Sequence, residues 1–239
     1  MQLMPNKKLR ALQVNWLITN RLLSSGAEAV ICKTKNPHTI YKIFSKSSKP
    51  IPMCDNKAEK IKKLYQMSLN YATHPIRTLS CDGELIGYEM TYDSKDHRFS
   101  PYYLKKEQII YYLEETKKIL EYFSSKDITF GDVADRNILI NQKNGKVTFC
   151  DMDNIRLGQY PIDLIALDLR DYEDKRGIDA SVDPYMHSLF TLHALGLDEY
   201  YDDSIFITDI FEDTVEPIIQ TLREPENYLG EYIINYIKK

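Results

Sequence analysis

The stretch Phe130-Gly-Asp-Val-Ala-Asp-Arg-Asn-Ile-Leu-Ile140, followed after a turn by Val147-Thr-Phe-Cys-Asp-Met-Asp-Asn154, constrains this chain more than any other. Two short apolar runs flank Asn144-Gly145, a dipeptide that suits a tight hairpin because both residues tolerate positive φ. The pattern predicts strand, loop, strand, turn and strand, with Asp132, Asn137 and Asp151 at the ends of the short apolar strands. Acids and amides also make turns between strands, so this spacing alone admits a purely structural reading.

The chain before this stretch reads as strand-rich. Residues 17 to 23 and 28 to 34 are apolar or alternating around Ser24-Ser25-Gly26-Ala27, which predicts a hairpin with a small-residue turn. Thr39 to Phe44 is a third short strand after the Asn36-Pro37 break. From Asp55 to Ala72 the apolar residues Ala58, Ile61, Leu64, Tyr65, Leu69 and Ala72 keep to one helical face. Asn56 with Glu59 three residues on suggests its N-cap, and His74-Pro75 its end. Ile76 to Cys81 and Glu84 to Thr91 flank the Asp82-Gly83 turn, giving about five strands and one helix in the first ninety residues.

A polar, irregular stretch from Tyr92 to Pro101 marks the boundary between a first lobe, 1–92, and a second, 93–239. In the second, Ile109, Tyr112, Leu113, Thr116, Leu120 and Phe123 predict a long helix over 105–123. Further helices are expected over 185–197, 205–222 and 228–237. The expected class is α+β, a small sheet-rich lobe followed by a mainly helical one.

A formal charge of -4 and a pI near 5.8 give no general pull toward nucleic acid or an anionic membrane. Lys57, Lys60, Lys62 and Lys63 read as a solvated helix face. The four cysteines are widely spaced, without a metal or redox pairing, which suits reduced thiols. The opening residues lack a signal-peptide core and no apolar run is long enough to span a bilayer, so a cytoplasmic location is expected. Delivery by a dedicated secretion system would leave the same trace.

Asp132 and Asn137 are five apart and Asp151 lies fourteen beyond Asn137. In order and near-spacing these residues resemble the catalytic loop and D-F-G motif of the protein-kinase-like superfamily. The resemblance implies a two-lobed kinase-like fold, ATP and Mg2+ as cofactors, Asp132 as base, and Asn137 and Asp151 as magnesium ligands. Ser24-x-Gly26-x-x-Ala29-x-Ile31 falls on the spacing of the family's nucleotide loop, though only one of its three glycines is kept. Lys42, in the middle of an apolar strand, matches the lysine that holds the α- and β-phosphates, and Met90 joins the nucleotide-binding set. The family's partner for that lysine is a glutamate on the next helix. Glu59 is the one glutamate there, yet it points away from the Ile61, Leu64 and Leu69 stripe, and a capping role also explains it.

Departures bear on regulation and acceptor. Phe130-Gly131 stands where the family has His-Arg, so no arginine is there to bind an activating phosphate. Asp151-Met-Asp replaces D-F-G, and Asp183-Pro-Tyr resembles the start of a helix whose aspartate braces the catalytic loop, although an N-cap would explain it equally. The leading expectation is a compact Ser/Thr protein kinase-like enzyme. A small-molecule kinase of the aminoglycoside or choline type, favoured by Gly131-Asp132 and Ala134, and a nucleotide-binding pseudokinase scaffold remain as alternatives. The substrate is thus a protein or small-molecule hydroxyl, and the oligomeric state is unknown.

Overall fold

A computed structural model of the chain describes residues 3–46, 49–162 and 182–194. The helices expected over 205–222 and 228–237 lie outside these residues. The chain divides into two units, Met1–His97 with Thr148–Asp153, and Arg98–Val147 with Asn154–Lys239. Both helix and sheet are present, so the protein is α+β.

The first unit is built on a seven-stranded sheet. Its strands are β1 (Asn6–Leu9), β2 (Leu22–Ser25), β3 (Ala29–Lys33), β4 (Thr39–Lys46), β5 (Lys49–Pro50), β6 (Pro75–Cys81) and β7 (Glu84–Thr91). They run in the order β1-β6-β7-β4-β3-β2, with β5 paired to β4 and β1 parallel to β6. Strand alternation sorts the side chains onto two faces. One gathers Val30, Cys32, Tyr41, Ile43, Leu79 and Ile86 against Val14, Leu17 and Ile18 of helix α1 (Ala11–Asn20). The other gathers Ala29, Ile40, Phe44, Tyr88 and Met90 against Ala58 and Ile61 of helix α2 (Asp55–Met67).

Several expectations are corrected here. Residues 17 to 20 are helical: Val14, Leu17 and Ile18 fall at helical spacing, so the apolar run starting at 17 continues a helix face instead of opening a strand. Strands β1 and β5 raise the count above five, and α1 raises the helices to two. β1 escapes a pattern search because Leu9 is its sole apolar residue. α2 ends earlier than expected, at Met67, because Ser68 takes a left-handed φ of 46°. Its N-cap is Cys54, with no side-chain cap, so Asn56 and Glu59 do not form the capping pair. The Asp82-Gly83 turn forms as expected, with φ of 51° and 90°, the positive pair that a tight hairpin turn requires.

After β8 (His97–Arg98), the second unit contains a 3-10 turn at Pro101–Tyr103, helix α3 (Lys106–Ser124), β9 (Ile128–Thr129), a second 3-10 turn at Asp135–Asn137, and β10 (Ile138–Asn141). β11 (Lys146–Phe149) follows the Asn144-Gly145 turn, where Gly145 has φ 73° and its N–H donates to the Asn141 carbonyl at 2.8 Å. β12 (Arg156–Leu157) pairs antiparallel with β9. Leu113, Thr116, Leu120 and Phe123 form the buried stripe of α3. Helix α4 (Val182–Ala194) packs on α3 through His187, whose Nε2 lies 3.0 Å from the Leu113 carbonyl, and Phe190 meets Phe99 with ring centroids 5.1 Å apart.

Candidate functional site

In the first unit the site grows from β4. Ile40, Lys42 and Phe44 point to the face that α2 covers, so an apolar strand carries a lysine into an apolar cluster. Lys42 lies between Ile31 of β3 and Tyr88 of β7 in the sheet register. Such a burial is costly unless the charge is paired. Here it is paired twice: the ammonium donates to Asp151 Oδ1 and, at 2.6 Å, to Asp153 Oδ1. Tyr88 donates its hydroxyl to the same Asp153 oxygen at 2.6 Å.

α2 adds two more cations. Lys57 and Lys60, three apart on one helix face, are both buried. Lys57 Nζ stands 3.3 Å from Asp153 Oδ2, an ion-pair contact without hydrogen-bond alignment, and 3.4 Å from Glu28 Oε2 in the turn before β3. Lys60 Nζ donates to the Asp153 carbonyl at 3.2 Å. The reading of these two lysines as a solvated face is therefore corrected. At about 100° per residue Lys57 falls inside the Ile61 and Leu64 stripe, so the helical period contained the signal and the residue type concealed it.

The electrostatics follow from this packing. Burial pulls the Lys42 pKa down, but the Asp153 and Asp151 carboxylates outweigh it and hold the ammonium above its ordinary value. Burial likewise pushes Asp153 up, while Lys42 and Lys57 more than reverse this and keep it below the usual carboxylate range. Tyr88 is driven well above an ordinary phenol by burial and by the Asp153 charge beside it. Lys42 and Asp153 are thus both ionised at neutral pH, with Tyr88 as a neutral donor.

Asp151 differs from Asp153 in two ways. Its side chain is 32% exposed whereas that of Asp153 is 0%. Its φ is 65°, in the left-handed region that costs a non-glycine residue about 1–3 kcal/mol and persists where surroundings enforce it. The enforcement is visible just upstream. Phe149 N–H donates to the Tyr71 carbonyl at 2.7 Å, and the Thr73 N–H donates to the Phe149 carbonyl at 2.8 Å. This short parallel bridge fixes the approach to Asp151.

The remaining first-unit residues divide. Ala29 and Met90 are buried in the Lys42-side cluster, with Ile31 packed against it. Ser24 sits on β2, paired with Ile31, and stays outside that cluster. Gly26 is an exposed turn residue whose N–H donates to the Ala29 carbonyl at 2.9 Å. Glu59 is not brought to Lys42: it is exposed, and its Oε1 accepts from Lys62 at 2.6 Å. The helix turns its one glutamate outward and Lys57 and Lys60 inward, so the acid beside Lys42 comes from the 151–153 segment.

The second unit holds the other candidates. Asn137, in the second 3-10 turn, donates from Nδ2 to the Asp132 carbonyl at 3.0 Å and to Asp132 Oδ2 at 2.7 Å. Its amide oxygen is thereby turned away from Asp132. Arg136 Nη2 donates to Asp132 Oδ1 at 2.6 Å, so both carboxylate oxygens are engaged by the turn that follows. Upstream, Asp183 braces the loop: Oδ2 accepts from the Phe130 N–H at 2.8 Å and Oδ1 from the Gly131 N–H at 2.7 Å. Asp183 lies in the first turn of α4, which begins at Val182, so the brace and not an N-cap explains its side chain. Its complete burial raises the carboxyl to about 6 against the pull of those two N–H donors. Gly131 has φ 78°, a left-handed conformation that strains a residue with a Cβ, which favours glycine before Asp132.

Among the described residues no group of three or more His, Cys, Asp or Glu gathers as a metal site, and no helix is long and apolar enough to cross a membrane. No protein-family model matches the chain, and no curated protein matches its sequence. Asp153, Lys57, Lys60, Tyr88, Glu28 and Gly87 are the residues that sequence reasoning missed. Gly87 stands opposite Ile43 where β7 crosses β4, and a Cβ on it would clash with the Lys42 carbonyl oxygen.

Proposed function

We propose that this protein is an ATP-dependent phosphotransferase of protein-kinase-like fold, moving the γ-phosphoryl of Mg-ATP to a hydroxyl, with a Ser or Thr side chain as the acceptor class. One observation carries the reading: Lys42 and Asp151, distant in sequence, form an ion pair inside the first unit. A lysine shared with the aspartate of a D-x-D segment suits a site for phosphate and its counter-ion. Ala29, Ile31 and Met90, gathered on the same face as Lys42, supply an apolar lining for the nucleotide.

The donor chemistry fits magnesium. Mg2+ prefers hard oxygen ligands and is held by one or two protein groups together with substrate phosphates, not by an all-protein cage. The Asp151 carboxylate is such a group, and the kinase resemblance would give the Asn137 side chain the same role. When bound, the ion neutralises charge on the phosphate oxygens. This chain's own part is to hold those oxygens with Lys42 and to orient the acceptor hydroxyl with Asp132, which takes its proton as the oxygen–phosphorus bond forms and ADP leaves.

A thermal-shift titration tests the binding half of this proposal. Mg-ATP at about 100 times its Kd stabilises a one-site protein by about 2.7 kcal/mol. The midpoint should therefore rise with Mg-ATP in the wild type and much less in Lys42→Met. An unmoved wild-type midpoint contradicts the proposal. A second reading, a nucleotide-binding scaffold without turnover, is favoured by the engagement of both Asp132 oxygens by Arg136 and Asn137. Binding without phosphotransfer would select it.

A further inference from the structure

We propose that Asp153 is the positioning residue of this site, a buried carboxylate that sets the posture of Lys42, of α2 and of the turn before β3. Its catalytic consequence rests on the phosphotransferase reading above, but the geometric claim does not.

α2 presents Lys57 and Lys60 to the interior and Glu59 to solvent. A helix with that polarity repels Lys42, so an acid must stand between them. Asp153 does so with every part of its group. Oδ1 accepts from Lys42 of β4 and from Tyr88 of β7, both at 2.6 Å. Oδ2 faces Lys57 of α2 at 3.3 Å, and the main-chain carbonyl accepts from Lys60 at 3.2 Å. Lys57 continues to Glu28 at 3.4 Å, and Glu28 is held by its own carbonyl accepting from the Ser45 N–H at 2.9 Å. Asp153 therefore ties two strands and a helix and, through Lys57, the turn that carries Gly26.

This arrangement divides labour within Asp151-Met-Asp153. Asp151 keeps part of its surface open, whereas Asp153 has none. Asp153 therefore retains Lys42 in place whenever Asp151 engages another partner. The helix acid that the kinase resemblance calls for is replaced by an acid two residues past Asp151, with the helix contributing the cations.

The test uses the full chain, with and without nucleotide. Trace acetylation of lysines, read by mass spectrometry without ATP, reports whether Lys42 and Lys57 are sequestered. In Asp153→Asn, which keeps the shape and removes the charge, their labelling should rise about tenfold relative to wild type. With Mg-ATP present, KM for the nucleotide should rise about 10- to 100-fold while kcat falls less, the size of effect typical when a group that orients a ligand is lost. Adding Lys57→Met to Asp153→Asn should add little to that rise, because both act through one contact. A folded Asp153→Asn protein with wild-type labelling of Lys42 and Lys57 overturns the proposal. If labelling changes as stated while wild type binds no Mg-ATP, the positioning role stands and the phosphotransferase reading falls. Should Asp153→Asn not fold, Lys57→Met removes the side-chain link to α2 and Glu28 and leaves the Lys60 contact. Faster amide exchange in α2, with Lys42 labelling unchanged, supports the proposal, and unchanged exchange in α2 overturns it.

Discussion

Gly87 and Gly26 are glycines with opposite reasons for being so. A Cβ at Gly87 would strike the Lys42 carbonyl oxygen and come within 3.0 Å of the Ile43 Cα, both main-chain atoms in the middle of a sheet. Gly87→Ala should therefore cost about 1–3 kcal/mol in chemical denaturation, as overpacking of a rigid core does. At Gly26 the nearest atom to a Cβ is the Ala29 carbonyl oxygen at 3.7 Å, an ordinary contact. Gly26→Ala should hold stability within about 0.5 kcal/mol, as a surface change does. If Gly26 serves phosphate approach, the same variant lowers nucleotide affinity, so a stable variant with unchanged affinity would remove Gly26 from the site. Residues of this kind also mark what was legible in the sequence. Lys42 stood out because a charge in an apolar strand demands a reason, and Asp151 because of its spacing. Asp153 did not, since one more acid in a turn is ordinary until its burial is known. Lys57 and Lys60 were hidden by the habit of assigning lysines to solvent.

At the scale of elements, the helices that periodicity could specify were found and the ones it could not were misplaced. α3 keeps its buried stripe over 19 residues, and the pattern was sufficient. α1 has 10 residues, with only Val14 buried among them, and its apolar end was taken for alternation. α4 supplies a pH test. His187, fully buried, is lowered to about 4 from an ordinary 6.5, so the unfolded chain takes up its proton first and stability falls as pH drops through that window. Asp183, raised to about 6 from an ordinary 3.8, acts oppositely: the folded state binds the proton first, so stability rises as pH drops from about 6. The two slopes overlap and oppose each other in wild type. His187→Gln, which retains an N–H donor for the Leu113 carbonyl, should uncover the Asp183 slope as a gain in urea stability between about pH 6 and 4, relative to wild type. Parallel pH profiles for the two proteins would contradict the assignment.

For the whole molecule, strand alternation in the first part and helical spacing in the second were enough to read α+β from the sequence. What they could not reveal is that Thr148–Asp153 belongs with the sheet-rich first unit, because that grouping arises from tertiary bonds between Phe149 and the segment around Tyr71 to Thr73. The central claim, phosphoryl transfer by this chain, is tested most directly by mass-spectrometric detection of phosphosites after incubation with Mg-ATP, alone and with generic protein substrates. Wild type should acquire phosphate, Asp151→Ala should acquire none, and Asp132→Asn should be slowed about 10²- to 10⁴-fold, the usual contribution of a positioned base. Equal phosphorylation in wild type and both variants, or its absence from all three, would contradict the account.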